Sequence, residues 1–172
     1  MEQQGKQTES AVEGVDVAAV GATAYVRIHG RMTFKNAADF RAFMVQQAAA
    51  QRHGILVDLH DCCSMDSTFI GMLTSMTLRL RRDSATAVKL FNASEHVLGI
   101  LRTLGLLSVL DVVADEEGAS AGYAPLTPGA HSKVDITRLM LDAHETLAAV
   151  NSANAVQFKD VVTHLKAHLP SE

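Results

Sequence analysis

Three neighbouring polar residues, Asp66, Ser67 and Thr68, stand where an apolar run gives way to a helical pattern. The apolar run is GILVDL (54–59), and the helical pattern begins at Ser67 and continues to about Arg82. A hydroxyl at such a turn accepts a hydrogen bond from one of the first helix N–H groups, which have no partner within the helix. A helix N-terminus also favours negative charge and so tolerates a phosphate on a serine. The turn is therefore interpreted either as a simple helix cap or as a phosphorylation site.

The same turn does not have the pattern of a catalytic site. A serine nucleophile between a strand and a helix needs Gly-x-Ser-x-Gly, and MDSTF (65–69) lacks both glycines. His60 and Asp61 lie too close to this serine in sequence to favour a catalytic triad. The pair His164 and His168 has no third ligand that would complete a metal site. We therefore predict no enzymatic activity, no catalytic residue, no metal and no cofactor.

Composition and charge restrict the class of protein further. The chain has 172 residues, of which 48% are hydrophobic and 20% are charged, as expected for one globular domain with an appendage. Its net charge of −4 argues against nucleic acid binding, which needs clustered Lys and Arg. Cys62 and Cys63 are adjacent, which argues against a disulfide framework. Since no apolar run reaches the roughly 18 residues of a membrane span and no signal peptide is evident, we expect a cytoplasmic protein.

The remaining hydrophobic patterns predict the elements that position the turn. Alternating or compact apolar runs predict strands, and apolar residues at helical spacing predict helices. The order β-β-α-β-α-β-α predicts an α/β fold with a mixed sheet of four to five strands and helices mainly on one face. The predicted strands are 15–20, 24–30, 54–59, 87–92 and 107–113, and the helices between them are 36–51, 67–82 and 94–105.

Changes in composition predict the domain boundaries. Residues 1–14 are polar and are predicted to be a flexible tail, and residues 15–113 are predicted to be the domain. The segment 114–132 contains two prolines and several small residues, which predicts a linker. A C-terminal extension of two amphipathic helices is predicted for 133–169. Within it, His144 is interpreted as solvent-exposed.

The sequence MDSTFIGML (65–73) resembles the signature Asp-Ser-[Ser/Thr]-Gly-[Leu/Ile]-Gly-x-[Leu/Ile] of STAS domains, the anti-sigma factor antagonist family. The similarity extends upstream through VDVAAVGATAYVRIHGRMTFKNAADFRAFM (15–44) and downstream through AVKLFNASEHVLGILRTLGLLSVLDV (87–112). It covers about residues 12–113 and leaves the C-terminal helices outside. The resemblance implies a STAS-like fold that binds other proteins and catalyses no reaction.

By position in the signature, the resemblance implies that Ser67 is the phosphoacceptor, with Thr68 as a second candidate. In the antagonist branch, the serine is phosphorylated by a partner serine kinase that is also the anti-sigma factor. A metal-dependent serine phosphatase removes the phosphate. The resemblance therefore implies a signalling module that binds the kinase and is switched off by phosphorylation at Ser67. It also implies that Asp66 shapes the turn and that Gly71 allows close packing at the helix start.

Two places depart from the family pattern. Phe69 replaces the first glycine of the signature, and the turn at 30–37 carries Arg31 and Thr33 where the family typically has acidic residues. Because Met32 and Phe69 are both expected beside Ser67 at one end of the sheet, we predict that they form an exposed apolar docking patch. The predicted partner-binding residues are Met32, Thr33, Asp66, Thr68, Phe69, Gly71 and Met72.

An alternative hypothesis, from a different class, is a scaffold subunit without a phospho-switch. The resemblance allows this too, because STAS subunits occur in stress-sensing particles and in lipid-transport ATPases. The turn would then be a docking cap, and the C-terminal helices would be the assembly element. Their apolar stripes would be covered by the domain itself, by a partner, or by a second copy in a homodimer.

Overall fold

The computed structural model describes residues 12–114, 116–120 and 122–170, and most of the predicted flexible tail lies outside this range. The described residues form one mixed sheet of six strands in the order β5-β4-β3-β2-β1-β6. The prediction of an α/β fold with a mixed sheet is confirmed, but the sheet has six strands rather than four to five. The strands are β1 (Gly14–Val20), β2 (Thr23–Met32), β3 (Gly54–Met65), β4 (Ala87–Phe91), β5 (Asp111–Val113) and β6 (Ala124–Pro125).

Five α-helices accompany this sheet within the described ranges. The first, α1, begins earlier than predicted because the Thr33 hydroxyl accepts a hydrogen bond from the Lys35 N–H, and the Asn36 side chain accepts one from the Thr33 N–H. The two predicted C-terminal helices are confirmed. The helices are α1 (Phe34–Ala49), α2 (Ser67–Asp83), α3 (Glu95–Thr103), α4 (Lys133–Val150) and α5 (Ser152–His168).

The strand connections place α1, α2 and α3 on one face of the sheet, as predicted. β1 and β2 form an antiparallel hairpin, and β2, β3, β4 and β5 pair in parallel in that order. Each right-handed crossover therefore moves to the next strand in the same direction. Strand β2 alternates accordingly, because Val26 and Ile28 are fully buried beneath the helices whereas Tyr25 and Arg27 lie on the opposite, partly exposed face.

Described residues between β5 and α4 lie against that opposite face. The Glu116 carboxylate lies 4.0 Å from Lys89 Nζ on β4, and the Arg27 guanidinium on β2 lies 4.2 Å from the centre of the Tyr123 ring. The chain then pairs with β1 as β6, beyond β2. We call residues 116–125, apart from residue 121, the crossing segment. The predicted linker therefore contributes the sixth strand.

The helices α4 and α5, which we call the hairpin, pack on the outer side of α2. Apolar residues of α4 are buried there, among them Leu139, Ala143 and Leu147. The tip of the hairpin is fixed to the end of α3, since the Asn154 side-chain amide donates hydrogen bonds to the carbonyls of Leu104 at 2.9 Å and Leu147 at 3.0 Å. Consequently α2 is enclosed between the sheet on one side and the hairpin on the other.

Candidate functional site

Asp66 holds the turn by capping two helices at once. One carboxylate oxygen accepts a hydrogen bond from the Phe69 N–H at 2.8 Å, in the first turn of α2. The other accepts one from the Phe34 N–H at 2.9 Å, at the start of α1. Each helix N-terminus carries a partial positive charge, so a carboxylate between the two is electrostatically favoured. Asp66 therefore fixes the position of Ser67, which is the first residue of α2.

The Ser67 hydroxyl contacts a histidine from the hairpin. Its Oγ lies 3.0 Å from His144 Nε2, and His144 Nδ1 lies 2.7 Å from the Met140 carbonyl oxygen. A carbonyl oxygen only accepts hydrogen bonds, so in a neutral imidazole the proton is on Nδ1 and Nε2 is the acceptor. The Ser67 hydroxyl then donates to His144. His144 is only 4% exposed, so the expectation that it is solvated is wrong.

The predicted apolar docking patch is not formed. Met32 and Phe69 are both 0% exposed, and the Phe69 ring stacks on Phe40 of α1 with 5.5 Å between ring centres. The reason is their place in the elements, since Met32 continues the inward-facing side of β2 and Phe69 faces α1 from the first turn of α2. Both side chains belong to the core and present no surface to a partner in this conformation.

The other predicted partner-binding residues differ in accessibility. Thr68, the second phosphoacceptor candidate, is 4% exposed, and Met72 is also buried. Thr33 is the partly exposed cap of α1, and Asp66 is partly exposed at the turn. Ser67 is likewise partly exposed, so its hydroxyl is the more accessible of the two candidate acceptors.

The side of α2 that faces the hairpin is lined by small residues at a spacing of four. These residues, Ser67, Gly71 and Ser75, we call the outer face of α2. A Cβ atom at Gly71 would lie 2.4 Å from the carbonyl oxygen of Ala143, so only glycine allows α4 to approach this closely. One turn further along, the Ser75 hydroxyl donates to the Asp142 carboxylate at 2.7 Å. The outer face is thus matched to α4 both in shape and in hydrogen bonding.

A groove of about 620 Å³ opens beside Ser67, between α2, α3 and α5. Its apolar wall includes Ile70 of α2, Ile100 of α3 and Phe158 of α5, and His96 adds a polar group. Phe158 also packs on the His144 ring with 5.6 Å between ring centres. Ser67 is therefore accessible from this groove, while its opposite side is held by the hairpin.

A larger groove, about 870 Å³, lies away from Ser67 beside β1 and the crossing segment. His29 spans two carboxylates in it, with Nε2 3.0 Å from Asp16 and Nδ1 3.5 Å from Asp61. Cys62 borders this groove, and burial raises the pKa of its thiol to about 11, so that it stays protonated at neutral pH. Among the described residues, no group of three or more His, Cys, Asp or Glu is placed to bind a metal ion.

His144 is the residue that the sequence interpretation missed. It lies four residues after Met140 and three before Leu147, which is the spacing of the inward stripe of α4. That periodicity was a signal for burial, although nothing in the sequence indicated that Ser67 would be its partner.

In the described part of the chain, no helix is long and apolar enough to cross a membrane.

Comparison with known protein families identifies the domain that contains the sheet and Ser67. The family model described as "Mlab, STAS domain" matches residues 15–111, which is more than half of the chain. The chain therefore belongs to the STAS-domain family, and the hairpin lies outside the matched region. No curated protein sequence matches the chain.

Solved structures with the same fold include TM1081 of Thermotoga maritima, whose crystal structure is described as that of a "putative anti-sigma factor antagonist". Its crystal structure aligns with a TM-score of 0.52 at 18% identity, over 58% of this chain and 85% of TM1081. Its NMR structure gives a TM-score of 0.51 at 15% identity, over 66% and 86%. The anti-sigma factor antagonist SpoIIAA in its unphosphorylated form gives 0.49 at 15% identity, over 59% and 89%. At these identities the likeness to TM1081 concerns the fold alone.

Proposed function

We propose that the chain is a non-enzymatic signalling module of the anti-sigma factor antagonist kind, with Ser67 as its phosphoacceptor. The observation that carries this proposal is the position of Ser67 within a STAS domain, directly after the capping residue Asp66 and at the start of α2. Phosphorylation would place about −1.5 to −2 charges on this residue. A partner would then bind the unmodified protein and dissociate from the phosphorylated one, because of the added charge at Ser67.

Physical chemistry supports Ser67 as a place where a phosphate is tolerated. The positive end of the α2 dipole favours an anion there by about 0.3 to 1 kcal/mol. The domain itself does not depend on the Ser67 hydroxyl for capping, because Asp66 supplies that hydrogen bond to α2. A phosphate on Ser67 therefore leaves the cap of α2 intact and acts on the surface beside the turn, where the hydroxyl contacts His144.

The proposed partners follow from this assignment. A serine kinase that is also an anti-sigma factor would bind the unmodified protein, and a metal-dependent serine phosphatase would regenerate that form. Such an exchange of partners would occur in the cytoplasm. A homodimer through the apolar stripe of α4 would require Leu139, Ala143 and Leu147 to leave the chain's own α2, since these residues are buried in the hairpin contact.

A second candidate function is a scaffold subunit without a phospho-switch. One observation favours it, which is that the hairpin covers the outer face of α2 and holds the Ser67 hydroxyl through His144. In that case the turn would serve packing alone, and assembly with other proteins would use surfaces away from Ser67.

Phosphosite mapping by mass spectrometry distinguishes the two functions. The protein is purified from its own cells, with and without stress, and its intact mass is measured. The signalling function predicts a phosphate at Ser67 whose occupancy changes with the condition, and the Ser67→Ala variant should lack it. An unmodified Ser67 under every condition, in a protein held in a large complex, would favour the scaffold.

A further inference from the structure

We propose that the hairpin competes with partner proteins for the outer face of α2. A kinase or another partner would then bind around Ser67 only when α4 has left this face. The inference rests on the proposed function, because it concerns access to the proposed phosphoacceptor. It extends that function by assigning an interaction surface, composed of Ser67, Gly71 and Ser75, and its resident occupant, α4. The competing partner would be a protein that presents a helix with a small or flat contact face.

Steric contact makes the two occupants mutually exclusive. At Gly71 even one added carbon atom would lie 2.4 Å from the Ala143 carbonyl oxygen and 2.8 Å from the Ala143 Cβ. No side chain of another protein can enter a contact this close, because protein interiors are packed without spare volume. A partner helix can therefore reach the outer face of α2 only by replacing α4.

The Ser67 hydroxyl is itself part of the closed contact. In-line phosphoryl transfer requires the attacking oxygen within about 3 to 3.5 Å of the phosphorus and a free approach to it. In the closed form, His144 Nε2 already occupies a position 3.0 Å from this oxygen, and α4 blocks the side of α2 from which His144 comes. The groove beside Ser67 leaves part of the hydroxyl accessible, but the residues around it on the outer face are covered.

The polar part of the contact can open at modest cost. It consists of two hydrogen-bonded pairs, Ser67 with His144 and Ser75 with Asp142, and it lies beside the buried apolar stripe of α4. All four side chains are polar, so water can replace their partners when α4 leaves, and the net cost of each lost bond is modest. The Phe69 ring of α2 packs on Phe40 of α1, so this part of the core is formed away from the hairpin.

A matched pair of charge substitutions on α4 tests the proposal in the full chain. Ala143→Glu places a carboxylate in the fully buried contact with Gly71, whereas Ala149→Glu makes the same change at an exposed position of the same helix. Hydrogen exchange should show that residues 133–150 exchange about tenfold faster or more in Ala143→Glu, while β2 and β3 stay protected. Phosphate occupancy at Ser67, measured in protein from its own cells, should rise severalfold in Ala143→Glu and stay at the parent level in Ala149→Glu.

The outcomes separate this inference from the proposed function. An opened hairpin with parent-level phosphate at Ser67 would overturn the competition and leave the phospho-switch standing. An opened hairpin with no phosphate on parent or variant, in any condition, would overturn both. If Ala143→Glu also unfolds the sheet, His144→Ala replaces it, with the exposed His164→Ala as control. Its expected result is a smaller rise in both hydrogen exchange and phosphate, and an unchanged occupancy would overturn the competition.

Discussion

The hairpin and the crossing segment both follow the last parallel strand, yet they cover the domain in different ways. The hairpin meets α2 through a backbone-to-backbone contact at Gly71 and through hydrogen bonds to Ser67 and Ser75. The crossing segment meets the open face of the sheet through one stacked ring, Tyr123, and one ion pair at 4.0 Å. The hairpin is therefore matched to the surface that carries the signature, whereas the crossing segment mainly shields the sheet.

The two regions therefore restrict the sequence to different degrees. The crossing segment meets the sheet through a cation–π contact and an exposed ion pair, and an exposed ion pair contributes little to stability. A helix face with a glycine at its centre accepts only a partner with a small residue opposite, which is Ala143 here. We therefore expect substitutions in the hairpin contact to have larger effects than substitutions in the crossing segment.

The largest effect is expected for Gly71→Ala. Its new Cβ meets the backbone of α4, which has no flexible end that can move aside, so the free energy of unfolding should fall by about 1 to 3 kcal/mol. Gly99→Ala is the matched control, because a Cβ at Gly99 in α3 meets nothing within 4 Å. It should be neutral or stabilising by up to about 1 kcal/mol. Urea unfolding measures both, and equal values would contradict the close contact.

Asn154→Ala should have the next largest effect. The buried amide satisfies the Leu104 and Leu147 carbonyls, and its loss should reduce the free energy of unfolding by about 1 to 3 kcal/mol. Gln157→Ala on the exposed side of α5 should stay within about 0.5 kcal/mol of the parent. If Asn154→Ala behaves like Gln157→Ala, the hairpin tip is not anchored to α3.

On the crossing segment, Tyr123→Ala should cost about 1 kcal/mol, mainly through the lost contact with Arg27. Tyr123→Phe separates the ring from the hydroxyl, which is buried and has no hydrogen-bond partner among the described residues. The Phe variant should therefore be as stable as the parent or slightly more stable. A clear loss in Tyr123→Phe, measured by thermal unfolding, would show that the hydroxyl is bonded.

The smallest effect is expected for the ion pair between Lys89 and Glu116. Both side chains are substantially exposed and 4.0 Å apart, so Lys89→Ala should change the free energy of unfolding by less than about 0.5 kcal/mol. A double-mutant cycle with Glu116→Ala, at low and high salt, gives the coupling between them. A coupling above about 1 kcal/mol would show that this ion pair stabilises the fold about as much as a hydrogen bond of the hairpin does.

Much of the fold could be predicted because local pattern and global topology agree. The apolar run before Ser67 and the order of elements along the chain were enough to predict the mixed sheet and the helices on one face. Met32 and Phe69 were predicted wrongly, although the alternation in β2 and the spacing of Phe69 with Leu73 already indicated burial. Position beside the signature favours an exposed patch for these two residues, whereas periodicity favours burial, and periodicity agrees with the structure.

The contact between Ser67 and His144 could not be predicted, because the two residues are 77 positions apart and their pairing depends on how the hairpin folds back. An apolar stripe predicts that α4 is covered but does not say by what. The same holds for β6, whose two residues carry no strand pattern of their own and pair with β1 because the chain crosses the sheet to reach it. Both the Ser67–His144 contact and the pairing of β6 with β1 therefore depend on packing between segments that are distant in sequence.

Hydrogen exchange on the unmodified full chain tests most directly whether the hairpin is a separable cover. If it is, amides of α4 and α5 exchange through an opening that costs less free energy than the opening of β2 and β3, and the outer face of α2 becomes accessible in that open form. If the hairpin amides exchange only together with the central strands, by global unfolding, then the hairpin is an integral part of the core and the competition for Ser67 does not occur.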